Sequence, residues 1–168
     1  MRVPNHAAKV TALKTPVGRL IAMRRGSKLT LDWILPGEPL PKERAVDADA
    51  CKILAAVERS LDGDDRGLAA IPTAVGTPFQ RSVWNCCRTS PSGQTRTYGW
   101  IAARLGRSNA CCRAIGQALR RNPLSVVVPC HRVVSASGLG GYSGETSGPM
   151  ARVKSWLIAR EKSTQTAD

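Results

Sequence analysis

The stretch TYGWIAARLGRSNACCRAIGQALRR, residues 97–121, decides how the back half of this chain is read. Thr97 offers a side-chain oxygen suited to capping a helix whose inner face would be Ile101, Ala102 and Leu105. Gly106 supplies a stop, because glycine tolerates the left-handed backbone that ends helices. The polar turn Arg107-Ser108-Asn109 leads to another helix, about Ala110 to Arg121, that carries Arg113, Arg120 and Arg121. A short helix, a glycine turn and a second, basic helix fit a helix-turn-helix. The same spacing suits a merely packed helix pair, and on pattern alone both readings stand.

Working outward, Thr77-Pro78 is an N-cap followed by proline at the first helical position. Phe79, Val83, Trp84 and Cys87 give the apolar stripe of a helix to about Arg88, and Ser90-Pro91-Ser92-Gly93 is a turn. Upstream, Val10–Leu13, Leu20–Met23 and Leu29–Ile34 are apolar runs broken by turn residues, which predicts a small antiparallel sheet. Asp47 to Leu61 has helical period, with Ala50, Ile53, Leu54, Val57 and Leu61 inward. Residues 62–76 read as a linker rich in Gly, Asp and Pro. Downstream, Ser125–Val128 reads as a buried strand. A last helix from Pro149 to about Glu161 turns Met150, Val153, Trp156 and Leu157 inward. The fold class expected is an α/β N-terminal domain, residues 1–75, built of a small antiparallel sheet plus a helix. A mainly α C-terminal domain, residues 76–168, follows, with a winged-helix-like helix-turn-helix.

The chain has 168 residues, of which 42% are apolar and 22% charged, enough to bury a core. Its formal charge is +13. Residues 1–76 carry 12 basic and 9 acidic side chains, whereas residues 77–168 carry 13 and 3. A compact half with that surplus repels itself unless an anionic partner neutralises it, and nucleic acid is such a partner. No apolar run approaches the ~18 residues of a membrane span, and the charged N-terminus does not suit an export signal. A cytoplasmic protein without a membrane partner is therefore expected.

In a reducing compartment the six cysteines would not form a disulfide framework, and the adjacent pairs Cys86-Cys87 and Cys111-Cys112 lack metal-knuckle spacing. Five of the six read as small buried hydrophobes. Cys130 is different. It sits in Val-Val-Val-Pro-Cys-His-Arg-Val-Val, directly before His131. A thiol with pKa ~8.5 is mostly protonated at neutral pH. An imidazole can take that proton, and a carboxylate can hold and stabilise the imidazolium. Glu161 falls on the apolar stripe of the last helix, where a carboxylate needs a partner. Cys130, His131 and Glu161 can thus form a thiolate-generating relay if Pro129 turns the chain; a frayed helix end would instead leave Glu161 in water.

The string Asn122-Pro123-Leu124-Ser125-Val126-Val127-Val128-Pro129-Cys130-His131-Arg132-Val133-Val134 resembles the acceptor-site signature of the O6-alkylguanine-DNA alkyltransferases. The likeness continues through Thr77-Pro78-Phe79-Gln80, Thr97-Tyr98, Arg113-Ala114-Ile115-Gly116, Gly141-Tyr142-Ser143-Gly144 and Lys154…Glu161. It covers residues 76–161 and only loosely the front half, through Pro16–Leu20. The resemblance implies DNA repair by single-turnover transfer of an alkyl group from O6-alkylguanine in double-stranded DNA to Cys130. His131, through a water, would be the base, and Glu161 would hold it. Asn122 would brace the turn. Tyr98 would crowd the target phosphate and help guanine leave, and Arg113 would fill the vacated stack, with Ala114 and Gly116 also against the DNA. Val133, Ser143, Gly144 and Lys154 would surround the flipped guanine. The resemblance implies no cofactor and no metal, and a monomer; whether O4-alkylthymine is also a substrate is left open. Flipping is what such chemistry needs, since a stacked base hides its O6 substituent. The sequence departs from the family pattern where Glu145 replaces a common second glycine and the stretch from Tyr142 to Lys154 is lengthened, which predicts a reshaped lid over the guanine pocket.

Overall fold

The computed structural model describes residues 12–25, 27–41 and 48–165. Strands β1 (Ala12–Thr15), β2 (Gly18–Arg25) and β3 (Lys28–Ile34) form an antiparallel sheet in that order. Residues two apart share a face, so Leu20 and Ala22 of β2 line up with their partners Trp33 and Leu31 of β3. Helix α1 (Ala48–Leu61) covers that face with Ala50, Ile53, Leu54, Val57 and Leu61, all buried. Val10 and Asp47, where the sequence placed the starts of the first strand and of this helix, lie outside the described residues.

The expected linker 62–76 contains one helical turn, α2 (Arg66–Ala69), with Leu68 buried. A turn this short leaves its carbonyls open. Arg88, at the end of α3 (Pro78–Arg88), donates to the oxygens of Leu68, Ala69 and Ile71 and closes them. Helix α3 begins with a reciprocal cap: the Thr77 hydroxyl accepts from Gln80 N at 3.2 Å and Gln80 Oε1 accepts from Thr77 N at 2.9 Å.

The helix-turn-helix is α4 (Tyr98–Arg104) and α5 (Cys112–Arg120), with Gly106 at φ +65° in the turn. Ala110 and Cys111, expected as the start of the second helix, instead form a 3-10 turn with Asn109. Trp84 of α3 locks the pair by donating from its indole to Ala118 O at 2.9 Å. The two-residue strand β4 (Arg96–Thr97) precedes α4 and pairs in parallel with β5 (Val133–Val134).

Ser125–Val128 is a tight turn rather than the expected strand. Val128 N donates to Leu124 O at 2.9 Å, and Val126 adopts φ +71°. That conformation is unfavourable for a β-branched residue. Val126, Val127 and Val128 are all buried, so core packing outweighs the local preference. The turn also joins the two halves. Leu31 N of β3 donates to Pro123 O at 2.7 Å, and the front core takes in Leu124, Val126, Val127, Tyr142, Val153 and Leu157. Helix α6 (Pro149–Gln165) runs past the expected end at Glu161, which holds that residue inside. Among the described residues no helix is long and apolar enough to cross a membrane.

Candidate active site

Cys130 is placed by three consecutive local devices. Pro129, at φ −79° and ψ 59°, makes an inverse γ-turn closed by Cys130 N to Val128 O at 2.7 Å. Cys130–Arg132 then form a 3-10 turn, so adjacent side chains need not point apart as they would on a strand. Asn122, just past the end of α5, braces the whole. Its Nδ2 donates to Val128 O at 2.9 Å and to Cys130 Sγ at 3.4 Å, while its Oδ1 accepts from Leu124 N at 2.9 Å.

Beneath the sulfur lies a buried charge network. His131 Nε2 is 2.6 Å from Glu161 Oε1, and both side chains are almost wholly buried. Burial raises the Glu161 carboxyl, but hydrogen bonds and charge from His131 and Arg132 outweigh it and bring it down to about 2. An ionised carboxylate only accepts, so His131 Nε2 carries the hydrogen and a neutral ring keeps its lone pair on Nδ1. Nδ1 is buried and has no hydrogen-bond partner in the protein. Arg132 grips both oxygens of Glu161 at 2.9–3.1 Å, gives Nη1 to Ser90 O, and reaches Asp65 at 2.9 Å.

The thiol itself rests protonated. Burial pushes Cys130 above the ordinary thiol value, opposed by the Asn122 hydrogen bond, the Lys154 charge and nearby backbone N–H groups. Lys154 is fully buried, and burial lowers it to about 8. Its ammonium donates to the oxygens of Val133, Leu139 and Gly141 at 2.6, 2.7 and 3.0 Å. These bonds fasten the 139–141 loop to the back of the site.

A cavity of about 180 Å³ opens above Cys130, with Tyr98, Gly116, Tyr142, Ser143 and Gly144 among its walls. The structure therefore brings together Cys130, Asn122, His131, Glu161, Tyr98, Gly116, Ser143 and Gly144. Lys154 and Val133 differ from their expected place around a substrate: both are buried behind the wall and bonded to each other. Arg113 and Ala114 are exposed on α5 outside the lining. Cys86 and Cys87 are buried as expected, whereas Cys51, Cys111 and Cys112 are half-exposed; all six are free thiols. Glu145 does not enter the cavity. Its carboxylate accepts from Met150 N at 3.2 Å and caps the first turn of α6.

Sequence reasoning placed Arg120 on the basic helix and Tyr142 and Arg132 in the family strings, but gave none of the three a role at the site. Arg120 lies across the loop so closely that a Cβ on Gly144 would stand 2.6 Å from its Nε. The available signal was helical spacing, since Arg120 follows Gly116 by four residues and shares its face. For Arg132 the signal was a cation inside an apolar run, which demands a partner.

Among the lining residues of the cavity the one charged side chain is Arg120. From Arg66 to Gly144 the sequence has ten arginines and no Asp, Glu or Lys. Arg113, Arg120 and Arg121 make no ion pair among the described residues.

The comparisons agree with this arrangement. The model for the 6-O-methylguanine DNA methyltransferase, DNA binding domain, matches residues 78–163. A methylated-DNA–protein-cysteine methyltransferase of Shigella flexneri is 48% identical over 93 residues, 54% of this chain and 51% of that protein. The chain thus spans about half the length of that relative. The constitutive enzyme of that name from Bacillus subtilis is 31% identical over 160 residues, 90% of this chain and 94% of its own length. Among solved structures, Mycobacterium tuberculosis OGT in complex with DNA superposes with a TM-score of 0.65 at 30% identity, covering 91% of this chain and 92% of that one. With the acceptor signature standing where that alignment runs, the chain belongs to the 6-O-methylguanine DNA methyltransferase family.

Proposed function

We propose that this protein repairs DNA by direct reversal, moving an alkyl group from O6 of guanine in duplex DNA to Cys130, once per molecule. The observation that best supports this reading is the cavity floor: a protonated thiol held by Asn122, next in sequence to an imidazole whose lone-pair nitrogen is buried and whose other nitrogen is held by ionised Glu161.

His131, through a bridging water, takes the Cys130 proton, and Glu161 stabilises the imidazolium. The sulfur attacks the alkyl carbon, the carbon–oxygen bond breaks, and guanine departs with the electron pair. Tyr98 supplies the hydrogen bond or proton that neutralises it, so one proton lost by the thiol balances one gained by guanine. A thioether is a poor leaving group, which makes the transfer irreversible. Asn122 is a positioning residue for the turn. The cavity walls at Ser143 and Gly144 receive the flipped base, and Val133 and Lys154 act from behind by fixing the loop. Arg113 fills the vacated stack, with Ala114 and Gly116 against the DNA. Residues 1–75 support the site and residues 76–168 bind DNA and react. The protein works as a monomer in the cytoplasm and needs no cofactor for the step.

Incubation with an O6-methylguanine duplex, read by intact mass, tests this. One methyl, about 14 Da, should appear on Cys130 at one equivalent per protein. Cys130→Ser should bind DNA and gain no mass. Modification of another cysteine, or several turnovers, would overturn the proposal.

A further inference from the structure

Helix α4 has a second charged feature, on its other side. Arg96 and Arg104 stand four residues before and after Trp100, and their guanidinium carbons lie 5.4 and 5.2 Å from the indole centroid. Successive helical residues turn through about 100°, so Trp100 points about 200° away from Tyr98 and Arg104 about 240°. Tyr98 lines the cavity, and the buried Ile101 and Ala102, at about 300° and 40°, flank its direction on the core side. The Arg-Trp-Arg stack and the cavity therefore occupy opposite sides of the same short helix.

Neither arginine has a carboxylate partner among the described residues. Arg96 donates to Gln94 Oε1 at 2.6 Å and weakly to Thr95 O, and the charge of Arg104 opposes the rise that burial gives the Cys86 thiol. Two cations held against one ring repel each other, and the ring quadrupole offsets only part of that repulsion. A bound anion would offset the rest. With guanidinium groups stacked on it, the indole is not free to stack on bases. Each guanidinium instead has its donors held in a plane, the geometry that matches phosphate oxygens. Such a surface recognises backbone, not sequence.

A duplex that delivers a base to the cavity cannot also reach the far side of α4. DNA stays stiff over about 50 nm, and wrapping a single helix would require a far tighter bend.

We propose that the face formed by Arg96 of β4 with Trp100 and Arg104 of α4 binds the phosphate backbone of a second DNA segment while the cavity side holds the first. The proposal rests on the DNA-repair reading above, and its test separates the two.

Undamaged 12-base-pair duplex is titrated into the full-length protein at low salt and the stoichiometry read by sedimentation. Wild type should take two duplexes. The second step should weaken with salt along a log–log slope of about −1.8, two phosphates' worth. The double substitution Arg96→Gln/Arg104→Gln should take one duplex. Trp100→Leu, which keeps both charges but removes their platform, should weaken the second step several-fold and leave the first unchanged. A wild-type protein that saturates at one duplex, or a double variant that still takes two, overturns the proposal. Transfer from free O6-benzylguanine to Cys130, which needs no duplex, is measured on the same preparations. Transfer with one bound duplex sinks the second face alone; two bound duplexes without transfer sink the repair reading alone.

Discussion

The indole Nε1 of Trp33 donates to the hydroxyl of Tyr142 at 3.3 Å, across 109 positions of chain. Trp33 belongs to the front sheet, and Tyr142 walls the cavity above Cys130. The front half therefore props the reactive site directly. Trp33→Phe keeps the apolar contact and removes the donor. Unfolding in urea should show a loss of about 1 kcal/mol with an unchanged m-value. An unaltered midpoint would mean that the bond adds nothing.

Glu161→Gln removes the charge that holds His131 and leaves Arg132 buried with Asp65 as its one remaining carboxylate. Breaking a buried pair in this way costs about 3–5 kcal/mol. The pH profile of Cys130 alkylation should also move to higher pH, because the imidazolium loses its stabilising partner. An identical profile in the variant would argue against the relay.

Acid stability follows from the same carboxylate. Its folded value, about 2, lies below the ordinary 4.5. Its contribution, on the order of 3 kcal/mol, is therefore complete above about pH 4.5 and disappears as pH falls toward 2. Denaturant midpoints measured from pH 5 to pH 2 should fall steeply for wild type and much less for Glu161→Gln.

Gly144→Ala should impair both stability and transfer. The residue has φ +94°, and its new Cβ would meet Arg120 Nε at 2.6 Å. The backbone strain alone costs about 1–2 kcal/mol. Adding Arg120→Ala should recover the steric part and leave the strain, so the double variant's melting temperature should fall between wild type and the single variant.

Arg113→Ala should slow transfer from duplex DNA more than transfer from the free base, since the exposed side chain on α5 matters only when a stack has been opened. Equal slowing in single-turnover assays of both substrates would remove Arg113 from the flipping step.

Much of this was legible in the sequence because its signals are local. Thr77 and Thr97 cap the helices they precede, and Cys130 and His131 are neighbours whose carboxylate falls on a helical stripe. What escaped depends on contacts between distant segments. Val126 has every local reason to be a strand residue, and only the core around it enforces a turn. Lys154 reads as a cation for a ligand, but the loop carbonyls of Leu139 and Gly141 fold back onto it. The one-turn helix α2 has little period of its own and is completed by Arg88 from the next helix.

The backbone link from Leu31 to Pro123 bears on any attempt to shorten the protein. The β3 edge is seated on the segment that carries the acceptor sulfur, so residues 78–163 expressed as a fragment would expose an apolar flank and leave a carbonyl bare. Such a truncation should be aggregation-prone and slow to react even though it keeps every side chain of the relay, and supplying the missing sheet in trans should restore it.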